Sequence, residues 1–135
     1  MPYYSKTKRK EPEFRGGINI LSSEHFQYIE AGITLDAEAI GEKYLPVGTP
    51  VARNLETGKF EVYADDTSGE EPALPSGYDE FALLNVDVNM QGEDAIVGEV
   101  LIRGSVYDAK LPDTVTETFK KATHPFLRYT KNIIQ

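Results

Sequence analysis

Carboxylates are the side chains of this 135-residue sequence that could perform catalysis, and they are concentrated in one stretch. Eleven of the 22 acidic residues lie between residues 60 and 102, where there is no Lys or Arg. Two carboxyl groups about 5 to 9.5 Å apart can hydrolyse a glycosidic bond. A pair such as Asp87 and Glu99 could therefore serve a hydrolase. No motif selects that pair among the many that eleven acids allow, so we expect no enzyme and keep the hydrolase as an alternative.

Other catalytic residue types are scarce. The chain has no Cys and two His, which excludes disulfides, a thiolate nucleophile and cysteine-ligated metals. The run Ser22-Ser23-Glu24-His25 places hydroxyls beside an imidazole, but a catalytic triad depends on spatial geometry and not on adjacency in sequence. His124 stands before Pro125, where we expect it to close the carboxyl end of a helix. We therefore assign no catalytic residue.

Metal and phosphate motifs are incomplete. Residues 87–92 begin like a calcium-binding loop, with Asp, Asn and Gly at fitting positions, but the twelfth position holds Gly98 where a bidentate Glu is needed. The flanking patterns also predict strands and not helices. Gly98 and Gly104 are not followed by the Lys-Ser/Thr of a phosphate-binding loop. We expect no metal site and no cofactor.

Charge divides the chain into two parts. The formal net charge is −8, yet residues 1–15 carry five basic and two acidic groups, a balance of +3 that leaves −11 for the remaining 120 residues. A body with that negative field repels nucleic acid. Polar residues closed by Gly16 and Gly17 predict a flexible basic arm over residues 1–17. We expect a single β-rich domain over residues 18–135.

Alternating and turn-forming patterns predict the elements of that domain. Alternation of apolar and polar residues predicts a strand over residues 33–39. Residues 50–54 and 59–63 predict a hairpin closed by Gly58. Residues 65–77, rich in Asp, Glu, Ser, Gly and Pro, predict an exposed acidic loop.

Further strands are expected over residues 81–90 and 95–107, the second broken by Gly98 and Gly104 and buried on both faces at its centre. Residues 126–134 predict a terminal strand or an extended tail.

One helix is expected near the carboxyl end. Thr114-x-x-Glu117 fits a capping box, Glu117 can pair with Lys121, and His124-Pro125 ends the helix. Its apolar face comprises Val115, Phe119 and Ala122. The fold class is thus mainly β, a small β-barrel or β-sandwich-like domain with one short helix.

No apolar run approaches the roughly 20 residues of a membrane span, and the first residues lack the apolar stretch of a secretory signal. We expect a cytosolic product without a membrane partner.

Four segments follow one another along the chain in a distinctive order. They are Leu45-Pro46-Val47-Gly48-Thr49-Pro50-Val51, Thr57-Gly58-Lys59-Phe60-Glu61-Val62-Tyr63, Ala82-Leu83-Leu84-Asn85-Val86-Asp87-Val88 and Ile96-Val97-Gly98-Glu99-Val100-Leu101-Ile102-Arg103-Gly104-Ser105-Val106-Tyr107. Their order resembles that of the lambda-like head decoration proteins of tailed phages and prophages, and the likeness covers about residues 44–112 and the helix that follows. This sequence departs from the compact family pattern by its long basic start and by the acidic insertion at residues 65–77.

The resemblance implies a homotrimer that sits at the three-fold sites of the expanded icosahedral head and holds the major capsid protein against DNA pressure, without catalysis. It also implies an amino-terminal arm that orders on the shell and pairs with capsid backbone. We expect the protein on the capsid surface of the virion, and in the host cytoplasm during assembly. The expected capsid-binding residues are Tyr3, Tyr4, Lys6, Lys8, Arg9, Lys10, Phe14 and Arg15.

The β-forming Tyr and Phe of the arm could add a strand to an exposed sheet edge, with charge setting its orientation. A different structural role, such as a head fibre base, a tail protein or a β-rich adaptor, stays open as an alternative.

Overall fold

The computed structural model describes residues 19–131, so the predicted arm lies outside the described residues. Within them the fold is mainly β, with one short helix near the carboxyl end, as predicted. In chain order the elements are β1 (Gln27–Tyr28), β2 (Ile33–Leu35), α1 (Ala37–Ile40), β3 (Tyr44–Leu45), β4 (Pro50–Asn54), β5 (Phe60–Val62), β6 (Tyr78–Leu84), β7 (Val88–Asn89), β8 (Ala95–Val97), β9 (Val100–Tyr107), a 3-10 turn (Asp108–Lys110), α2 (Glu117–Thr123) and β10 (Leu127–Thr130).

Most strands form one sheet that curls into a half-barrel. Its order is β1-β9-β6-β4-β5-β2-β8, and β3 and β7 form a separate two-stranded sheet. Leu101 of β9 lies opposite both Tyr28 of β1 and Leu83 of β6. The second half of β9 pairs in parallel with β10, beginning at Leu127 opposite Gly104. β9 therefore joins β1 and β10, which lie near the two limits of the described residues, to the rest of the sheet.

Apolar side chains cover both faces of the sheet centre. Successive residues of a strand point to opposite faces, and in β6 and β9 successive residues are fully buried. One core cluster contains Ile20, Val47, Ala52, Tyr63, Leu83, Leu101, Val106, Val115, Phe119 and Leu127. The other contains Ile33, Leu35, Leu45, Val51, Phe60, Ala82, Leu84, Met90, Val97 and Val100. The prediction that residues 95–107 are buried on both faces at their centre is confirmed.

The predicted hairpin is confirmed as β4 and β5. The two strands pair antiparallel, with Val51 opposite Val62 and Arg53 opposite Phe60. Gly58 ends the turn at φ +76°, a left-handed conformation that costs Gly little.

Two strand predictions were too long. The strand expected over residues 33–39 ends at Leu35, because the Asp36 side chain accepts a hydrogen bond from the Glu38 backbone N–H and begins α1. The strand expected over residues 81–90 splits into β6 and β7, which belong to different sheets. Alternation alone did not mark either break, since both lie within an unbroken apolar-polar pattern.

The predicted helix exists, but its start and its buried face differ. Thr116, not Thr114, is the N-cap, and its hydroxyl accepts from the Phe119 backbone N–H at 3.2 Å. The buried face of the helix includes Thr123, whereas Ala122, which was expected on that face, is exposed. The ammonium of Lys120, and not that of Lys121, lies near Glu117, at 3.5 Å. His124 closes the helix through its backbone N–H to the Lys120 carbonyl, as predicted.

The acidic stretch is exposed but anchored at its base. Residues 67–74 are all exposed. Asp65 accepts hydrogen bonds from the Tyr63 hydroxyl at 2.6 Å and the Thr116 hydroxyl at 2.9 Å. Burial and this carboxylate raise the pKa of Tyr63. Asp66 and Ala73 form an isolated bridge across the loop. The loop therefore leaves the body beside the start of α2, its base is held by the Asp66–Ala73 bridge, and it rejoins the body at Gly77, whose carbonyl accepts from the Leu55 backbone N–H.

Candidate interaction surface

The eight residues predicted to bind a capsid lie outside the described residues, so the structure does not place them. They are Tyr3, Tyr4, Lys6, Lys8, Arg9, Lys10, Phe14 and Arg15. The described body nevertheless carries two surfaces of its own that can contact a partner. One lies around Arg103 on β9, and the other lies between β7 and β8.

The first surface combines exposed rings with a cation. The guanidinium carbon of Arg103 lies 4.9 Å from the centre of the Phe126 ring, and Phe126 is 55% exposed. A guanidinium over an aromatic face is attracted by the ring quadrupole. The contact therefore holds the Phe126 side chain against β9 while leaving it open to solvent.

A second exposed ring lies on the other edge of β9. Phe26, 40% exposed, precedes β1, and its ring centre is 5.1 Å from that of Tyr28. Gly104 makes room for it: a Cβ at this position would lie 2.9 Å from the Cβ of Phe26. The φ of Gly104 is +146°, which also disfavours other residues. We call Phe26, Arg103 and Phe126 the aromatic patch.

A shallow cavity of about 340 Å³ adjoins the patch. Its walls include Arg103 and Phe126, with Glu80, Phe81 and Ile102. Glu80 has φ +52°, and the register between β4 and β6 shifts at this point. A residue other than Gly keeps a positive φ only where the surrounding structure holds it in that conformation. The register shift is a β-bulge, and a bulge changes the direction of the side chains beside it. The bulge thus brings a carboxylate to the edge of the aromatic patch.

The second surface is a groove of about 380 Å³ between β7 and β8, lined by residues 86–89 and 95–99. We call it the edge groove. Asp87 and Glu99, the carboxylates considered for hydrolysis, both line it. Asp87 already accepts a hydrogen bond from the Val47 backbone N–H at 2.8 Å. Ile96, at the rim, is 84% exposed, so the groove is open to solvent.

The Ser-His neighbours do not form a dyad. The Ser22 hydroxyl shares a hydrogen bond with the Thr130 hydroxyl at 2.8 Å. The Ser23 hydroxyl accepts from the backbone N–H of His25 at 3.1 Å. Both hydroxyls are thus engaged by groups other than the imidazole. Within residues 19–131, no group of three or more His, Asp or Glu side chains could hold a metal ion.

The basic side chains of the hairpin are paired with carboxylates. Arg53 donates two hydrogen bonds to Asp79, which lower the pKa of that carboxyl. The Ala37 backbone N–H and the Lys59 ammonium lower the pKa of Asp94. Other carboxylates, at Glu70, Glu71, Glu80, Glu93 and Glu99, are exposed. The described body therefore exposes many carboxylates, of which Glu80 lines the cavity beside the aromatic patch and Glu99 lines the edge groove.

Sequence reasoning did not find the aromatic patch. Arg103 and Phe126 were each assigned to strand patterns, and 23 positions separate them. Parallel pairing of β9 with β10 brings them together, which no local pattern indicates. The one local signal was an aromatic residue directly after Pro125, where an extended segment begins.

Comparison of the chain with protein-family models, curated proteins and solved structures found no match in any of the three. In the described part of the chain, none of the helices has the length and apolar character needed to cross a bilayer.

Proposed function

We propose that this protein is a phage head decoration protein, a homotrimer that binds the major capsid protein on the outside of the expanded head. Its work is to hold neighbouring capsid subunits together. The proposal assigns it to the capsid surface of the virion and, during assembly, to the host cytoplasm. The resemblance of four ordered sequence segments to lambda-like decoration proteins supports it, and so does a small β-rich body.

The observation that carries the proposal is the aromatic patch on the body. Aromatic side chains and Arg are enriched in the energetic centres of protein interfaces. Phe26 and Phe126 flank β9 from its two edges, and Arg103 packs on one of them. A cyclic trimer needs each copy to present one patch to a different patch of the next copy. We assign the aromatic patch to this contact between copies.

The basic amino-terminal segment is assigned to the capsid. Three copies in one trimer would multiply a modest contact into strong avidity, provided that all three reach their sites together. The negative body would face outward, away from the packaged DNA.

Head binding tests the proposal directly. Purified protein is mixed with expanded heads that lack a decoration protein, and bound protein is measured after sedimentation. We expect a variant without residues 1–17 to remain a folded trimer and to lose binding. Full binding by that variant would overturn the assigned role of the segment. Electron microscopy that places the protein away from the three-fold sites would favour a fibre base or tail role.

Oligomeric state tests the aromatic patch. We expect light scattering after size-exclusion chromatography to give the mass of a trimer for the unchanged chain and a smaller mass for Phe126→Ala. Leu55→Ala is the matched control, because Leu55 is also exposed but lies in the β4–β5 turn. A monomeric unchanged chain would contradict the proposal.

A further inference from the structure

The aromatic patch supplies only one side of the proposed contact between copies. In a cyclic trimer each copy gives one surface to the next copy and a different surface to the copy before it. The second surface must therefore lie elsewhere on the same body. To match the patch it needs an apolar recess for an exposed ring and a carboxylate for the Arg103 guanidinium, because complementary charges fix the alignment of an interface.

The edge groove has an apolar floor of constant shape. Val86, Val88 and Ala95 line it, and all three are half-buried and pack against the second of the two core clusters. Close-packed interior side chains keep such a floor from deforming. Gly98 also lines the groove, and a Cβ placed there would have no atom within 4 Å. The groove therefore has room for a side chain from another molecule.

An exposed apolar side chain adjoins this recess. In the described residues Ile96 is the most exposed of the large apolar side chains, at 84%. A single exposed apolar residue is common on protein surfaces, but apolar surface gathered around a recess marks a contact site. Ile96 is thus placed to cover an aromatic ring that enters the groove.

The charges of the two surfaces are complementary. The charged residues that line the groove, Asp87 and Glu99, are both carboxylates, and Glu99 is exposed. Arg103 is also exposed, and it lies against the Phe126 ring. An Arg guanidinium can donate two parallel hydrogen bonds to one carboxylate. Because Glu80 lines the cavity beside Arg103, the alignment must bring Arg103, and not Glu80, to the groove carboxylates.

We propose that the edge groove of one copy receives the Phe126 ring of the next copy, with Ile96 covering the ring and Arg103 donating to Glu99. The occupant of the groove is therefore a second copy of this chain. The inference rests on the proposed function, since it names the second surface of the trimer contact. Every copy then uses its aromatic patch on one side and its edge groove on the other.

A charge placed beside the groove tests the role of Ile96. We expect Ile96→Lys to lower the mass measured by light scattering from three chains to one, because its ammonium removes apolar cover and repels the guanidinium of the neighbouring copy. Leu55→Lys adds the same charge to another exposed apolar site, in the β4–β5 turn, and should leave a trimer. Circular dichroism would verify that both variants fold. A trimer of folded Ile96→Lys would overturn the proposal.

A disulfide between copies tests which residues meet. The chain has no Cys, so Glu99→Cys with Arg103→Cys introduces two unique thiols. The two positions lie on one extended stretch, because the Asn85 backbone N–H donates to the Glu99 carbonyl and continues the β6–β9 ladder. Four residues along a strand span about 13 Å, whereas the two Cα atoms of a disulfide lie within about 7 Å. The bond can therefore form only between copies.

We expect mild oxidation of this double variant to give a species of three chains on a non-reducing denaturing gel, because each copy contributes one thiol to each of its two contacts. Each single-Cys variant can join at most two chains and serves as the control. An oxidised double variant that gives no species larger than two chains would overturn the proposed pairing.

The outcomes separate a failure of this inference from a failure of the proposed function. A monomeric unchanged chain contradicts the trimer itself. A trimeric unchanged chain together with a trimeric Ile96→Lys overturns only the role of the groove. A cross-linked ladder that continues past three chains supports the pairing of the two surfaces but contradicts a closed trimer, because a contact of this kind that does not close forms filaments.

Discussion

The ammonium of Lys120 lies 2.6 Å from a carboxylate oxygen of Asp108, and the two side chains are only 17% and 21% exposed. Asp108 begins the 3-10 turn that follows β9, and Lys120 lies in the middle of α2. Lys131, after β10, adds a longer contact of 3.4 Å to the same carboxylate. The Asp108 carboxylate therefore ties α2 and the residue that follows β10 to the end of β9.

Removing the ammonium group of Lys120 should lower the free energy of unfolding, whereas removing that of the neighbouring Lys121 should not. Lys120→Met keeps the length of the side chain but leaves the partly buried Asp108 carboxylate without its nearest charge. We expect the free energy of unfolding in urea to fall by about 1.5–3 kcal/mol, the range for a hydrogen bond to a charged group. Lys121→Met is the control, because Lys121 is exposed, and its effect should stay within about 0.5 kcal/mol. Equal losses of stability in the two variants would contradict the stabilising role assigned to the Lys120–Asp108 ion pair.

The same ion pair should make stability depend on pH. Burial opposes ionisation of Asp108, but the ammonium groups of Lys120 and Lys131 outweigh it and hold the pKa of this carboxyl below its usual range. The folded state then binds fewer protons than the unfolded state, so the contribution is complete above pH about 4 and is lost as the pH falls through the lowered pKa. We expect the difference in stability between the unchanged chain and Lys120→Met to shrink toward zero below that pH. A difference that is constant in acid would contradict the prediction.

The sequence predicts Thr114 as the N-cap of α2, whereas the structure has Thr116 in that role. Replacing each threonine separately distinguishes the two. Thr116 accepts from the Phe119 backbone and donates to Asp65, so Thr116→Ala removes both bonds. We expect a loss of about 0.5–2 kcal/mol, as for other N-caps. Thr114→Ala should change the free energy of unfolding by less than about 0.5 kcal/mol. A larger loss of stability for Thr114→Ala than for Thr116→Ala, measured by thermal or urea unfolding, would support the capping box expected from the sequence.

Secondary-structure elements were predicted correctly from the sequence where residues close together in the chain determine the conformation. The β4–β5 hairpin follows from alternating residues on either side of a turn that ends at Gly58, and α2 follows from its apolar spacing and the stop at His124-Pro125. The cap of α2 was placed two residues too early because Thr114 and Thr116 both precede the helix. Thr116 is held by a hydrogen bond to Asp65, which is 51 positions away in the sequence.

Breaks in strands and the interaction surfaces required tertiary information. Asp36 reads as the polar face of a strand, yet in the fold it caps a helix that packs near β5. Arg103 and Phe126 meet because β9 and β10 pair in parallel, and the edge groove exists because β7 leaves the large sheet. Neither event has a local sequence signal, since each depends on which strands pair.

The aromatic rings around Phe119, in the core cluster that also contains Tyr63, should contribute a large part of the free energy of unfolding. The Phe119 ring is fully buried, with its centre 4.9 Å from the Tyr63 ring and 6.4 Å from the Phe81 ring. Phe119→Ala removes these contacts and leaves a cavity between α2 and the sheet, so we expect a loss of about 3–5 kcal/mol. That is a large share of the roughly 5–15 kcal/mol that holds a domain folded. Leu55→Ala, at an exposed turn, should change the free energy of unfolding by less than about 0.5 kcal/mol. Urea unfolding of both variants measures the contrast, and a loss below about 1 kcal/mol for Phe119→Ala would contradict this description of the core.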